Sequence, residues 1–373
     1  MDSLRLRLCL LLLFLAFILA PAVVGGQEAE TPKEAPPQQK VGVVVIPVLF
    51  YMPETKWGGG VGGLLTFRSR KSLPEDRPSS LYFYLIYTQL KQFETQFQPE
   101  FYFRGENYLL NGKLTLSKYP DKTWGIGPAT PEEAEENYTP QTASLEFSYQ
   151  RKVWPRQKLF IGFQGFLESY KILEKEAGKA LDSGQWPGST KGTSVGLGFI
   201  LNRDTRDNIF YPTRGDYWQL STTFYQKFLG GDFDFTSFKL DLRRFYSVLG
   251  SHVLGFQALL QATGGTPPFR SYPKLGGSDN MRGYYQGRYR DKCLATIQAE
   301  YRMPLWWRFG LVGFAGLGNV ADSPGQIKFD SFKFAAGFGI RFKIVPKEGT
   351  NLRLDFAWGK GTSGFYFTAR EAF

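Results

Sequence analysis

Histidine and cysteine are almost missing from this sequence. Its 373 residues include one histidine, His252, and two cysteines, of which only Cys293 lies outside the apolar N-terminal run. One thiol cannot form an internal disulfide, and one histidine with one cysteine gives no ligand spacing for a transition metal. The sequence therefore predicts no cofactor and no such metal site, while calcium bound by carboxylates alone remains open.

Long apolar segments are also scarce. One continuous run, residues 8–20, follows two arginines and is too short for a membrane helix. The small residues Ala20 and Ala22 suit signal peptidase, so we expect a cleaved signal peptide at 1–22. The proline-rich, charged stretch that follows has nothing to pack, and we expect residues 23–40 to form a periplasmic linker.

From residue 41 onward, apolar and polar residues alternate with a period of two, as in a β-strand whose two faces differ. In 332–344, for example, phenylalanines and isoleucines share one face, while Lys333, Arg341 and Lys343 share the other. A soluble sandwich also alternates, but strands of about ten to fourteen residues fit a tilted bilayer crossing better. The sequence predicts an all-β fold, a transmembrane antiparallel β-barrel of about sixteen strands over residues 41–373.

The connections between the predicted strands differ in length at the two ends of the barrel. If both termini face the periplasm, the long connections lie outside, and they are 120–140, 173–189, 264–291 and 320–330. The inner ones are mostly short turns, with 204–214 as the main exception, which is the arrangement of outer-membrane barrels. The net charge of +11 is spread along the chain, so we expect outer-membrane lipid and no nucleic acid as a partner.

Two charged segments carry a family resemblance. "LGGSDNMRGYYQGRYRD" (275–291) resembles the sixth-loop signature of the BamA/TamA family of outer-membrane proteins, the bacterial surface antigen superfamily. "DTRDNIFYPTRGDY" (204–217) is similar to that family's D-x-R-D-N turn, and "YPDKTWGIG" (119–127) extends the resemblance to the third outer loop. The resemblance covers the whole barrel and implies a sixth extracellular loop inserted into the lumen.

By this resemblance, Arg282 is the loop arginine and Glu300 is its first carboxylate partner. The alternation agrees, because Gln298, Glu300 and Arg302 share the polar face. The family's F-x-D-x-G strand reads "FAGLG" here, with Gly316 in place of the aspartate, so we expect Arg282 to lose one carboxylate. The predicted brace between loop and lumen consists of Arg282, Gly283, Tyr284, Glu300 and Phe314.

The turn segment and the last residue complete the candidate sites. Opposite charges on Asp204, Arg206, Asp207 and Arg214 are expected to satisfy one another in a rigid periplasmic turn. The final residue, Phe373, resembles the terminal aromatic by which outer-membrane barrels are recognised for assembly. The predicted turn network consists of Asp204, Arg206, Asp207, Pro212 and Gly215.

The family resemblance implies insertion or translocation of unfolded outer-membrane or secreted polypeptides, or lipid handling, through a weak seam between the first and last strands. Gly361 and Gly364 are expected to weaken that seam. The family's periplasmic POTRA domains do not fit into 23–40, so a separate periplasmic partner is expected. We place the protein in the outer membrane of a Gram-negative bacterium.

The alternative is a passive channel that favours anions. Its lumen would be lined by cations on the polar faces of the strands. An enzyme is not expected, because Ser251 and His252 lie at a turn without an acidic orienter. The cations of the predicted channel are Lys239, Arg243, Lys333, Arg341, Lys343 and Arg353.

Overall fold

The computed structural model describes residues 41–52, 55–68, 76–345 and 349–373. The predicted signal peptide at 1–22 and linker at 23–40 lie outside these residues. Within the described ranges, no helix combines the length and the apolar character that a membrane-crossing helix needs.

The chain is built almost entirely from β-strands, because the period-two alternation continues from one segment to the next. In chain order the strands are β1 (Gly42–Met52), β2 (Lys56–Phe67), β3 (Ser79–Thr88), β4 (Phe93–Phe103), β5 (Tyr108–Lys118), β6 (Asp121–Thr123), β7 (Glu136–Trp154), β8 (Leu159–Lys175), β9 (Lys191–Asp204), β10 (Gly215–Tyr225), β11 (Phe235–Val248), β12 (His252–Gly265), β13 (Lys274–Leu275), β14 (Tyr289–Arg290), β15 (Cys293–Pro304), β16 (Phe309–Ala321), β17 (Lys333–Val345), β18 (Thr350–Gly359) and β19 (Thr362–Ala369). Short 3-10 helices lie at Glu132–Ala134, Pro155–Gln157, Lys227–Leu229, Phe269–Ser271, Pro324–Gln326 and Phe329–Ser331.

Sixteen of the strands found in the described residues are eight residues or longer, which confirms the predicted number. Each long strand pairs antiparallel with the next long strand, from β1 with β2 to β18 with β19. The short strand β6 lies beside β7, and β13 pairs with β14 in a separate hairpin. Among the described residues no ladder joins β19 back to β1, so the expected hydrogen-bonded closure is not seen there.

The two faces of the sheet are those that the alternation predicts. On β17, Phe334 and Phe338 point outward with 57% and 45% of their surface exposed, whereas Arg341 points inward and is 3% exposed. The pleat places successive side chains on opposite faces, so a regular alternation in sequence becomes an apolar exterior and a polar bore. Between neighbouring long strands, pairing also satisfies the backbone N–H and C=O groups, as hydrocarbon requires.

Connections differ between the end of the barrel that carries Gly42 and Ala369, here called the terminal end, and the opposite loop end. The loop end carries the long connections 119–135, 176–190, 226–234, 266–292 and 322–332. Most terminal-end connections are short turns of three or four residues, such as 249–251 and 305–308. Two are longer, 205–214 as predicted and also 68–78, whose central part lies outside the described residues.

Candidate functional site

The loop-end connection 266–292 folds back into the bore, which confirms the predicted insertion. The β13–β14 hairpin sets Lys274 opposite Arg290 and Leu275 opposite Tyr289. Leu275 is fully buried, in a cluster with residues on the inner faces of β12, β15 and β16. Apolar side chains of the loop therefore replace water inside the barrel and hold the hairpin in the lumen.

Arg282 lies at the centre of the interior. Its Nη2 atom lies 2.5 Å from Glu300 Oε1, and its Nη1 atom lies 2.6 Å from Asp355 Oδ2. Its Cζ atom is 3.5 Å from the centroid of the Phe314 ring. The side chains of the arginine and both carboxylates are fully buried, so the ion pairs are charge-assisted hydrogen bonds screened little by water.

Because of Asp355, Arg282 does not lose a carboxylate partner, contrary to the expectation from Gly316. The glycine does remove the family's aspartate from β16, but Arg282 still has two carboxylate partners, because β18 supplies the second one. A Cβ atom built at Gly316 would lie 3.0 Å from Met281 Sδ, so the loop's methionine fills the space beside the glycine. The alternation of β18 placed Asp355 on the inward face, but no sequence spacing connected it with Arg282.

Gly283 and Tyr284 fasten the loop to the last three strands. Gly283 has a φ of 106°, and a Cβ atom there would lie 2.8 Å from the Trp358 carbonyl carbon, so only glycine fits. Its N–H donates to Tyr366 Oη at 2.9 Å. The Tyr284 hydroxyl donates to the Phe334 carbonyl at 3.1 Å and accepts the Lys360 N–H at 3.0 Å.

The ion pairs extend beyond Arg282. Arg302 pairs with the second oxygen of Glu300 at 2.9 Å, and Arg341 pairs with Asp355 at 2.5 Å. Arg341 also pairs with Glu371 at 2.7 Å, and Arg353 pairs with Asp279 of the loop at 3.1 Å. The four arginines of this set are balanced by four carboxylates. We call it the brace network, and it consists of Arg282, Arg302, Arg341, Arg353, Asp279, Glu300, Asp355 and Glu371.

This pairing bears on the six cations of the predicted anion channel. Arg341 and Arg353 belong to the balanced brace network, and Arg243 pairs with Asp241 at 2.7 Å. Lys333 donates to the Asn319 side-chain carbonyl at 2.9 Å. Half of the predicted lining cations are therefore neutralised by carboxylates, which weakens the field that would attract anions.

The terminal-end turn 205–214 contains one ion pair among the four charged residues singled out in its sequence, Asp204 with Arg206, and Asp204 has one additional partner. Asp204 accepts hydrogen bonds from Arg206 Nε at 2.9 Å and Nη2 at 2.8 Å. It also accepts one from Arg77 Nη1 at 2.8 Å. Sequence reasoning missed Arg77, because it lies 127 residues earlier and in a connection without a recognisable motif.

The remaining members of the turn network are held by contacts that involve backbone groups of the turn. Asp207 accepts the Thr213 N–H at 2.9 Å and the Arg214 N–H at 3.3 Å. Gly215 has a φ of 101°, and a Cβ atom there would lie 2.5 Å from the Thr205 carbonyl oxygen. The Pro212 carbonyl accepts a hydrogen bond from Arg302 at 3.3 Å, which connects the turn to the brace network.

Phe373 lies inside the bore rather than on the lipid face. Strand β19 ends at Ala369, and Arg370 takes a left-handed conformation with a φ of 71°. Phe373 is then 3% exposed, with its ring centroid 6.2 Å from that of Phe245, and its carbonyl accepts a hydrogen bond from Arg302 at 3.0 Å. Its role as an assembly signal remains a prediction, although its position differs from that of the outward-facing Phe365.

A second set of contacts joins the inserted loop to the third outer loop. Tyr285 packs edge-on against Trp124 at 5.5 Å and donates to Asp121 at 3.2 Å. The Gly127 N–H donates to the Arg290 carbonyl at 2.8 Å. Burial opposes the charged form of the Asp121 carboxyl, but the cations beside it, Lys274 first, lower its pKa below the usual range. The 119–127 segment therefore holds the inserted loop from the loop end.

Neither the histidine nor a carboxylate cluster forms a metal site in the described part of the chain. No group of three His, Cys, Asp or Glu side chains there is arranged to hold a metal ion. His252 begins β12, and its Nδ1 atom lies 2.7 Å from the Tyr301 hydroxyl on the neighbouring strand β15.

Comparison with protein families and solved structures gives consistent matches. The family model described as the Omp85 superfamily domain matches residues 82–373. The crystal structure of BamA from Haemophilus ducreyi lacking POTRA domains 1-3 has a TM-score of 0.53 and 12% identity, and the match covers 89% of this chain and 69% of that chain. Comparison with curated proteins gave no match.

Two CdiB structures also match. CdiB from Acinetobacter baumannii has a TM-score of 0.52 and 10% identity, and the match covers 86% of this chain and 56% of that chain. CdiB from Escherichia coli has a TM-score of 0.51 and 12% identity, with 91% and 62% covered. This chain therefore spans less than two thirds of either CdiB chain, and at these identities the likeness establishes the fold.

Proposed function

This chain belongs to the Omp85 superfamily, and from that premise we propose that it inserts or translocates polypeptide clients through the seam between β1 and β19. It is a β-barrel of the Gram-negative outer membrane, like BamA and CdiB. Unfolded outer-membrane or secreted polypeptides are the proposed clients. Lipid handling through the same seam and a separate periplasmic partner belong to the same proposal.

The observation that carries the proposal is that, among the described residues, the first and last strands form no ladder with each other. Among the described residues, β1 pairs with β2 alone and β19 pairs with β18 alone. Each of the two strands thus has one edge whose N–H and C=O groups lack a ladder, which is costly in hydrocarbon. An extended client segment can satisfy such an edge by adding a strand to it.

The first hairpin supports this reading because its second strand is rich in glycine. In the β1–β2 register, Val45 lies opposite Gly63, Val48 opposite Gly60 and Leu49 opposite Gly59. Glycine has more backbone freedom and contributes no side chain to cross-strand packing, so little side-chain packing holds the two strands of this hairpin together.

Side chains inside the bore connect the two sides of the seam. Arg370, just after β19, donates to the Gln98 side-chain carbonyl on β4 at 3.1 Å. Its Cζ atom lies 5.0 Å from the centroid of the Tyr82 ring on β3. Such contacts are weaker and more easily broken than a backbone ladder, so they suit a joint that opens reversibly.

A reversible crosslink tests the seam. Cysteine pairs, one in β1 and one in β19, would be introduced into a Cys293→Ser variant and reconstituted into vesicles. A urea-denatured eight-stranded outer-membrane barrel serves as client, and its folding is followed by heat-modifiable migration on gels. We expect the reduced barrel to accelerate client folding, the oxidised barrel to lose that acceleration, and a reductant to restore it.

The control for this experiment is a cysteine pair across β9 and β10, which are joined by an intact ladder. Oxidation of that pair should leave the folding of the client unchanged. Full activity of the barrel whose β1–β19 crosslink has formed would contradict the seam proposal.

A further inference from the structure

A cavity of about 660 Å³ lies in the bore, between the inserted loop and the inner faces of the strands from β5 to β12. Its volume falls within the range of roughly 300 to 1,000 Å³ that small-molecule sites have. It is separate from the brace network's central pair, since neither Arg282 nor Glu300 lines it. The bore therefore has room for a small solute beside the inserted loop.

Uncharged hydrogen-bonding groups line much of this cavity. Amide and hydroxyl side chains come from both the strands and the loop, so both walls offer donors and acceptors to a solute. A hydroxylated molecule can replace water against such a wall without leaving polar groups unpaired, whereas an apolar molecule cannot. The uncharged polar residues include Asn111, Gln164, Gln219, Ser221, Thr223, Gln261, Asn280 and Gln286.

The charges that line the cavity have an excess of two positive charges. Lys113, Lys239, Arg270 and Lys274 line it together with two carboxylates, those of Glu146 and Asp279. Both carboxylates already have cationic neighbours, because Lys113 lies 3.9 Å from Glu146 and Arg353 lies 3.1 Å from Asp279.

Three of the cations retain capacity for an anion. In the described residues, neither Lys239 nor Lys274 has a carboxylate within ion-pair distance. Arg270 lies 3.7 Å from Glu168, but its buried Nε and Nη1 atoms have no hydrogen-bond partner. Burial, and next the nearby Arg290, lower the pKa of Lys274 to about 8, and the Asp121 carboxylate offsets this shift only in part.

We propose that this cavity binds a small free solute that carries an oxyanion and several hydroxyl groups, the chemistry of a sugar phosphate. Lys239, Arg270 and Lys274 would hold the oxyanion, and the amide and hydroxyl side chains would hold the hydroxyls. The proposal goes beyond the handling of polypeptides at the seam and does not depend on it.

Isothermal titration of the folded mature protein in detergent micelles tests the site with three probes: glucose 6-phosphate, inorganic phosphate and glucose. We expect saturable binding of glucose 6-phosphate, weaker binding of inorganic phosphate and no binding of glucose. Lys274→Gln and Lys239→Gln should each weaken glucose 6-phosphate binding about tenfold, as loss of one charge-assisted hydrogen bond predicts.

Lys328→Gln is the matched control, since it removes one exposed lysine from the connection 322–332, away from the cavity. It should bind glucose 6-phosphate as the unaltered protein does. Heat-modifiable migration confirms that each variant is folded. Absence of saturable glucose 6-phosphate binding to the unaltered protein would overturn the proposal, as would unchanged affinity in both cavity variants or equal binding of glucose.

Discussion

At the scale of single residues, Arg282 forms two fully buried ion pairs, with Glu300 and with Asp355. Replacing it with alanine leaves Glu300 with Arg302, and Asp355 with Arg341, as remaining partners. We therefore expect Arg282→Ala to cost about 3 kcal/mol of unfolding free energy, the lower part of the range for breaking a buried pair. Glu300→Ala should also destabilise the barrel.

Urea unfolding of the refolded variants, followed by tryptophan fluorescence and heat-modifiable migration, measures this effect. Arg156→Ala is the control, because Arg156 is exposed in the short helix between β7 and β8. Equal unfolding free energies for Arg282→Ala and Arg156→Ala would show that the buried pairs contribute nothing.

The second carboxylate partner of Arg282, which lies on β18 and not at position 316 on β16, gives a second test at this scale. Asp355→Asn removes one partner of Arg282 and should lower stability. Adding Gly316→Asp restores a carboxylate where the family has one. Its Cβ atom would lie 3.0 Å from Met281 Sδ, 3.2 Å from Gln298 Cγ and 3.3 Å from the Ile297 carbonyl oxygen, so these neighbours must shift by a few tenths of an ångström.

We expect Gly316→Asp to be destabilising alone, since it adds an unbalanced charge, and stabilising in the Asp355→Asn background. A double-mutant cycle of unfolding free energies measures this coupling. Additive effects of the two substitutions would mean that position 316 does not reach Arg282.

At the scale of elements, the tail after β19, residues 370–373, buries Ala372 and Phe373 against Phe245 and Val253. Phe373→Ala removes a buried ring from its contact with Phe245, and we expect a loss of about 3 kcal/mol in unfolding free energy. Phe365→Ala removes an outward ring and should cost less in micelles. If Phe373 is also the assembly signal, its alanine variant accumulates less in the outer membrane of cells.

The glycines of β2 give another prediction for an element. A Cβ atom at Gly59 or Gly62 meets only ordinary contacts, at 3.6 Å or more. Alanine at both positions should therefore stiffen the first hairpin by about 0.5 to 1 kcal/mol per residue. We expect slower hydrogen exchange of the β1 amides and slower client folding, whereas Gly313→Ala in β16, where a Cβ meets nothing within 4 Å, should leave client folding unchanged.

Features of the fold and of the site could be predicted from the sequence where a local pattern of residues indicated them. The strands and their two faces were predicted from the period-two alternation. The pair of Arg282 with Glu300 was predicted from the resemblance of the loop motif and from the position of Glu300 on the polar face of its strand. Asp355 and Arg77 contribute through contacts between distant parts of the chain, for which a single sequence holds no spacing rule. The inward turn of the chain at Arg370 was also not predicted, because the period-two alternation assigns side chains to faces only within a strand, and β19 ends at Ala369.

At the scale of the whole molecule, the inserted loop and the tail occupy the bore, and Tyr211 of the turn 205–214 packs against the tail. We expect planar-bilayer currents to be small and flickering for the unaltered protein, and larger for Arg282→Ala, whose loop is less firmly held. Large, steady, anion-selective currents from the unaltered protein would favour the passive channel instead. Reversal potentials in a salt gradient measure the selectivity.

The fastening of the loop by Arg282, Gly283 and Tyr284 to β15, β17, β18 and β19 makes stiffness unequal around the barrel's circumference. The last strands and the inserted hairpin are joined as one rigid sector, while the glycine-rich first hairpin lies on the other side of the gap. Any widening of that gap would therefore bend β1 and β2 and leave the arginine-bound sector in place.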